Sequence, residues 1–110
     1  MDARTEFDEN AGPLAGLYVL HLFITGATPN STRAVRNLKD ICEHYLPGRY
    51  ELTIVDIYQQ PELAKSEQII AAPTLVRKQP LPVRRLIGDL SNRERVLAAL
   101  DLPLRPDFEI

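Results

Sequence analysis

A second cysteine is missing from this chain. Cys42 is the only one among 110 residues, so neither an internal disulfide nor a C-x-x-C redox pair can form. No apolar run approaches the roughly 20 residues that a membrane-spanning helix needs. The opening stretch MDARTEFDEN is acidic and lacks an apolar core region, which argues against a signal peptide. A lone cysteine without an export signal leads to the expectation of a cytoplasmic protein. The loop GATPNS lacks the glycine spacing of a phosphate loop. Neither His21 nor His44 has an Asp, Glu or Cys at metal-ligand spacing, so both read as structural or surface residues. No metal, cofactor or membrane is called for.

What is present fits one domain, since 110 residues lie within the usual size of one. The net charge of −2 conceals an uneven distribution. Residues 1–16 carry Asp2, Glu6, Asp8 and Glu9 against Arg4. Between Arg77 and Arg95 stand Arg77, Lys78, Arg84, Arg85, Arg93 and Arg95, against Asp89 and Glu94. A basic segment on a mildly acidic chain points to an anionic partner surface. It holds no interleaved aromatics for base stacking, so nucleic acid is a poor candidate.

Residues 1–16 show no period and contain Gly12, Pro13 and Gly16; they read as a flexible N-terminal arm. A folded domain is expected over residues 17–102 and a C-terminal tail over 103–110. LYVLHLFIT (Leu17–Thr25) is almost continuously apolar, as a strand covered on both faces is. In STRAVRNLKDICEHYL the residues Ala34, Val35, Leu38, Ile41, Cys42, Tyr45 and Leu46 recur at three- and four-residue spacing. That predicts one helix face, capped by Asn30 or Ser31 and closed by Pro47-Gly48. Tyr50–Tyr58 reads as a second strand with Leu52 and Ile54 buried, and Pro61 as the start of a short helix over PELAKSEQII. Thr74–Lys78 and Val83–Ile87 are expected as two short strands around QPLP. Ser91 is expected to cap a last helix, with Glu94 completing a capping box. The order is βαβαββα.

Ala71 to Ser91, AAPTLVRKQPLPVRRLIGDLS, resembles the end of a thioredoxin-type domain. Thioredoxins place a matching proline beside their two cysteines. Here GATPNST occupies the cysteine position and offers hydroxyls without a histidine to activate them. Cys42, on the apolar helix face and far from the helix N-terminus, reads as a core residue rather than a nucleophile. Pro73 follows a small residue and precedes a strand, a setting that accommodates a cis bond. Pro80 and Pro82 remove backbone donors beside β-branched residues, so this segment carries conflicting instructions of the kind expected at functional sites.

The pieces GATPNSTRAVRNL, YELTIVDIYQQPELA, APTL, PVRRLIGDLSNRE and VLAALDL resemble the KaiB family of circadian clock proteins, and together they cover Leu17 to Leu102. The sensor domain of the clock histidine kinase SasA is similar in fold but is normally fused to a kinase. The resemblance implies a non-enzymatic regulator of α/β class, thioredoxin-like βαβαββα with a mixed sheet. It also implies metamorphism, meaning exchange with a ground-state fold that forms tetramers. The thioredoxin-like form would bind the N-terminal ATPase ring of a KaiC-type ATPase and then sequester KaiA. Under this reading Arg33, Arg77, Arg84 and Arg85, with Lys78 as an addition, form the contact surface. Pro73, Pro80, Pro82 and Ala99 belong to the part that switches. Three departures point to a divergent member: the length of residues 1–16, LRPDFEI in place of an acidic tail, and Ala99 where many members have Gly. Two other readings compete: a thiol enzyme using Cys42 alone, and a response module for a separate histidine kinase. The chain is expected to form homo-dimers or homo-tetramers if the ground-state fold dominates.

Overall fold

The computed structural model describes residues 17–102. The expected N-terminal arm and C-terminal tail lie outside the described residues. Within them the order is β1 (Tyr18–Ile24), α1 (Pro29–Tyr45), β2 (Tyr50–Asp56), α2 (Pro61–Ser66), β3 (Thr74–Gln79), β4 (Arg84–Ile87) and α3 (Arg93–Ala99). The sheet runs β2-β1-β3-β4. β1 is parallel to β2 and antiparallel to β3, and β3 pairs antiparallel with β4. This is the α/β, mixed-sheet, thioredoxin-like arrangement expected.

Strand alternation divides the interior in two. Leu20, Leu22 and Leu75 face one way, where they meet Ala34, Leu38, Ile41 and Cys42 of α1 and Val96, Leu97 and Leu100 at α3. Phe23, Val55 and Val76 face the other way and are covered by Ala64 of α2. Each fully buried aliphatic or aromatic side chain contributes about 1.5–3 kcal/mol relative to exposure. The larger cluster therefore sets most of the stability, and α2, only six residues long, covers the second face in part.

Several boundaries differ from the expectation, each for a local reason. Thr28, not Asn30 or Ser31, caps α1: its hydroxyl accepts from the Ser31 amide at 3.2 Å. Pro29 has no N–H to leave unpaired and takes the first helical position, which moves the start back. Asn92, not Ser91, caps α3 by accepting from the Arg95 amide at 3.1 Å. The Ser91 amide is already bound to Asp89 Oδ1. β2 stops at Asp56, whose Oδ1 accepts from the Tyr58 and Gly26 amides and turns the chain. Being an edge strand, β2 leaves Ile54 37 % exposed rather than buried.

α2 and α3 end alike. Gln68 and Asp101 adopt φ of 58°. The amides after them reach back, Ile69 N to Ala64 O and Leu102 N to Leu97 O, closing the C-terminal carbonyls of each helix. The Ala72-Pro73 peptide is cis, as are Gln79-Pro80 and Leu81-Pro82. Lys78 is an extra residue opposite the Val19–Leu20 step, a bulge in the β1–β3 pairing. No helix among the described residues is long and apolar enough to cross a membrane.

Candidate functional site

The basic residues singled out in the sequence do not form one patch. Arg84 and Arg85 are consecutive on β4, and consecutive strand residues point to opposite faces. The register pairs Arg84 with Arg77 on the side of α1 and α3, and Arg85 with Val76 on the side of α2.

Arg77 corrects the expectation of a surface residue. It is 1 % exposed and is the largest fully buried side chain among the described residues. One terminal nitrogen donates to Ala99 O at 3.0 Å and to Asp101 Oδ2 at 2.9 Å, and the other to Pro82 O at 2.8 Å. Its Nε has no partner among the described residues. The guanidinium sits where the C-terminal carbonyls of α3 converge, a position favoured for a cation. The Tyr18 hydroxyl donates to Leu100 O at 2.9 Å in the same place. A strand that sends Leu75 inward sends residue 77 inward as well, and the buried carbonyls satisfy the charge. The Arg77 guanidinium holds the Asp101 carboxyl below its ordinary range. Arg84, about half exposed, approaches the same carboxylate at 3.9 Å.

On the opposite face Lys78 Nζ donates to Glu67 Oε2 at 2.6 Å. This hydrogen bond lowers the Glu67 pKa against the opposing effect of burial, and the charges of His21 and Arg85 act in the same direction as Lys78. Arg85 is exposed, with Ile87 beside it on the same face. Arg33 stands apart. Its Nε donates to Asp89 Oδ2 at 3.1 Å, its terminal nitrogen donates to Asn30 Oδ1, and Asn37 Nδ2 donates to Asp89 O at 2.9 Å. Together these fasten the loop after β4 to α1. The hydrogen bond from Ser91, then that from Arg33, lowers the Asp89 pKa.

The turn between β3 and β4 adds residues that the charge pattern had not drawn attention to: Leu81 is 75 % and Val83 47 % exposed. An apolar residue between two prolines in a connection has nowhere to be buried, and QPLPV carries that signal. Pro73 is buried at the start of β3, while Pro80 and Pro82 flank this turn. Ala99 is half-buried in the last turn of α3.

The two side chains weighed for covalent chemistry, Cys42 and Ser31, are both buried. Cys42 is fully buried, and burial, with a smaller effect from Glu43, pushes its thiol up to about 12. At the position where a thioredoxin carries its cysteines, the buried Ser31 Oγ accepts from the Thr25 amide at 3.1 Å and lies 3.4 Å from the Thr25 hydroxyl. No three His, Cys, Asp or Glu residues gather to hold a metal among the described residues. The site presents two half-exposed basic faces flanking an apolar turn, an arrangement suited to binding.

Comparison with known proteins agrees. The family model for the KaiB domain matches residues 21–102. The circadian clock oscillator protein KaiB of Thermostichus vulcanus is 51 % identical over 90 residues, covering 82 % of this chain and 83 % of that protein. The protein of the same name from Synechococcus elongatus is 52 % identical over 85 residues, covering 77 % and 83 %. Among solved structures, the N-terminal domain of Synechococcus elongatus SasA superposes with a TM-score of 0.67 at 23 % identity, covering 88 % of this chain and 93 % of that one. Mitochondrial thioredoxin 3 of Saccharomyces cerevisiae gives 0.64 at 16 % identity, covering 82 % and 83 %. These two likenesses show the fold, which is thioredoxin-like. By its sequence match over residues 21–102, carried on that fold, the chain belongs to the KaiB family.

Proposed function

We propose that this chain is a non-enzymatic circadian clock or stress-timing regulator. It acts in the cytoplasm by binding the N-terminal ATPase ring of a KaiC-type protein. The observation that carries this reading is the 51 % identity to a protein named as a circadian clock oscillator component. The contact surface is composed of Arg84, Arg85, Lys78 and Arg33, all at least partly exposed. Arg77 acts from the interior by fixing the turn that carries Leu81 and Val83. The buried, high-pKa thiol of Cys42 supports binding over thiol chemistry.

The proposal includes a switch. The thioredoxin-like fold exchanges with a tetrameric ground state, and the segment from Pro73 through Pro80 and Pro82 to Ala99 is rebuilt between them. Two packings that exchange differ by only a few kcal/mol, so the helix preference of Ala99 over Gly favours the form in which α3 is helical. The test is size exclusion of the protein with a KaiC-type hexamer across nucleotide and phosphorylation states. A co-eluting complex in at least one state is expected; none in any state refutes the reading.

A further inference from the structure

α2 is only six residues long, so it covers part of its sheet face. On that face the register sets Thr53, His21, Val76 and Arg85 in one row across the four strands. His21 is half-buried there, its ring centroid 6.4 Å from that of Phe23. Charged groups border it from each neighbouring element. Lys78 of β3 and Arg85 of β4 are positive; Glu51 of β2 and Glu67, just after α2, are negative. Glu62 and Lys65 of α2 itself are exposed and opposite in sign. Among the described residues this face is therefore balanced as long as His21 is neutral.

Glu67 is the hub of the arrangement. Lys78 Nζ donates to its Oε2 at 2.6 Å, and the charges of His21 and Arg85 act on the same carboxylate. The Glu67 amide donates to Leu63 O at the end of α2, so its carboxylate ties the helix to the bulge in β3. Histidine is the side chain that gains a charge between about pH 8 and pH 5, where lysine, arginine and glutamate keep theirs. Cross-strand neighbours on one face stand about 5–8 Å apart, within the screening length of about 8 Å in physiological salt. The other histidine, His44, lies against Tyr45 on α1, on the opposite side of the sheet. We propose that His21 makes this face proton-responsive: once protonated, it shares Glu67 with Lys78 and turns a balanced surface into a net positive one. The face then holds an anionic segment of a partner more tightly as pH falls through the range in which histidine gains its charge. The partner half rests on the reading of Lys78 and Arg85 as contacts of a KaiC-type protein; the proton coupling does not.

Imidazole NMR of the full-length protein reads the coupling directly. Glu67→Gln removes the acid and is expected to lower the His21 titration midpoint by about 0.4 pH units. Lys78→Gln releases that acid to His21 and is expected to raise the midpoint by a similar amount. A loosened α2 would move both variants the same way, so opposite signs separate charge from structure. Midpoints that stay within about 0.1 units of the unsubstituted protein, or that move together, overturn the proposal. Affinity for a KaiC-type hexamer is then compared at about pH 8 and about pH 6. A gain of about threefold in acid is expected of the unsubstituted protein, with none in His21→Gln. The same pH dependence in both overturns the proton-responsive surface and leaves the functional reading intact. No complex at either pH refutes the functional reading, and the two midpoints then uphold or overturn the coupling by themselves.

Discussion

At one edge of the sheet β4 sets two arginines in four residues, after a turn holding Pro80 and Pro82. At the other, β2 runs seven residues with Leu, Thr, Ile and Val in its middle and acids only at Glu51 and Asp56. Charge, proline and shortness all discourage further strand pairing, so β4 ends the sheet by itself, whereas the middle of β2 carries none of these features. The charged edge is also the more heavily bolted. Arg77 beneath it binds Ala99, Asp101 and Pro82, and the loop beyond it is fastened to Arg33 and Asn37. The lesson is that the basic segment, which looked like a single binding surface, does two jobs: one arginine holds the edge from inside and the others face out.

The strongest test of that contrast is Arg77→Ala. It leaves a cavity and unpaired carbonyls at the end of α3, and a loss of about 3 kcal/mol is expected in urea unfolding. Thr53→Ala, on exposed β2, is expected to stay within about 0.5 kcal/mol. Similar losses in the two variants would erase the distinction between the edges. Next in size, reversing Arg84 and Arg85 together to Glu is expected to weaken KaiC-type binding at least about tenfold, a change of about 1.4 kcal/mol. Unfolding of that variant should shift by about 1 kcal/mol at most, since Arg84 also approaches the exposed Asp101 carboxylate. Unchanged affinity would remove both residues from the contact surface.

A smaller change is expected of Ala99→Gly. Glycine in a helix costs about 0.8–1 kcal/mol relative to alanine, which would shift a balance between two folds about fivefold away from the form with α3. NMR secondary shifts across Arg93–Leu100 measure it, and shifts that stay fully helical would show that residue 99 does not tip the balance. The mildest effect is that of acid. Glu67, Asp89 and Asp101 all have lowered pKa values and all serve β3, β4 or the loop after β4. A carboxylate lowered by folding stabilises the protein fully above its unfolded value and stops doing so as pH falls through the folded one. Stability from these three is thus complete above their ordinary values of 4.5 and 3.8 and declines below them. Exchange in acid should rise first in β3 and β4; first loosening in β2 would contradict the assignment.

The large features were legible in the residues. Continuous apolarity marked β1, the three- and four-residue spacing marked α1, and APTL with the two short runs after it marked β3 and β4. Local competition hid the rest. Thr28 and Asn92 outcompeted their neighbours as caps because Pro29 suits the first helical position and Asp89 claims the Ser91 amide. Burial of Ile54 failed because strand order, which puts β2 at an edge, is not written in β2 itself. Arg77 was misplaced because its charge argued for solvent, although its parity with Leu75 argued for the core. The adjacency of Arg84 and Arg85 already implied opposite faces.

The contacts of Arg77 span sequence separations of 5, 22 and 24 residues. One side chain therefore cross-links the end of the hairpin to the end of the last helix, closing the same length of chain that small secreted domains close with a disulfide. In a protein with one cysteine, a guanidinium is the available clasp. It needs no oxidant, and its outer half, the Asp101 carboxylate, is 52 % exposed. The clasp can therefore be undone from the solvent side, one hydrogen bond at a time, without a covalent bond being broken.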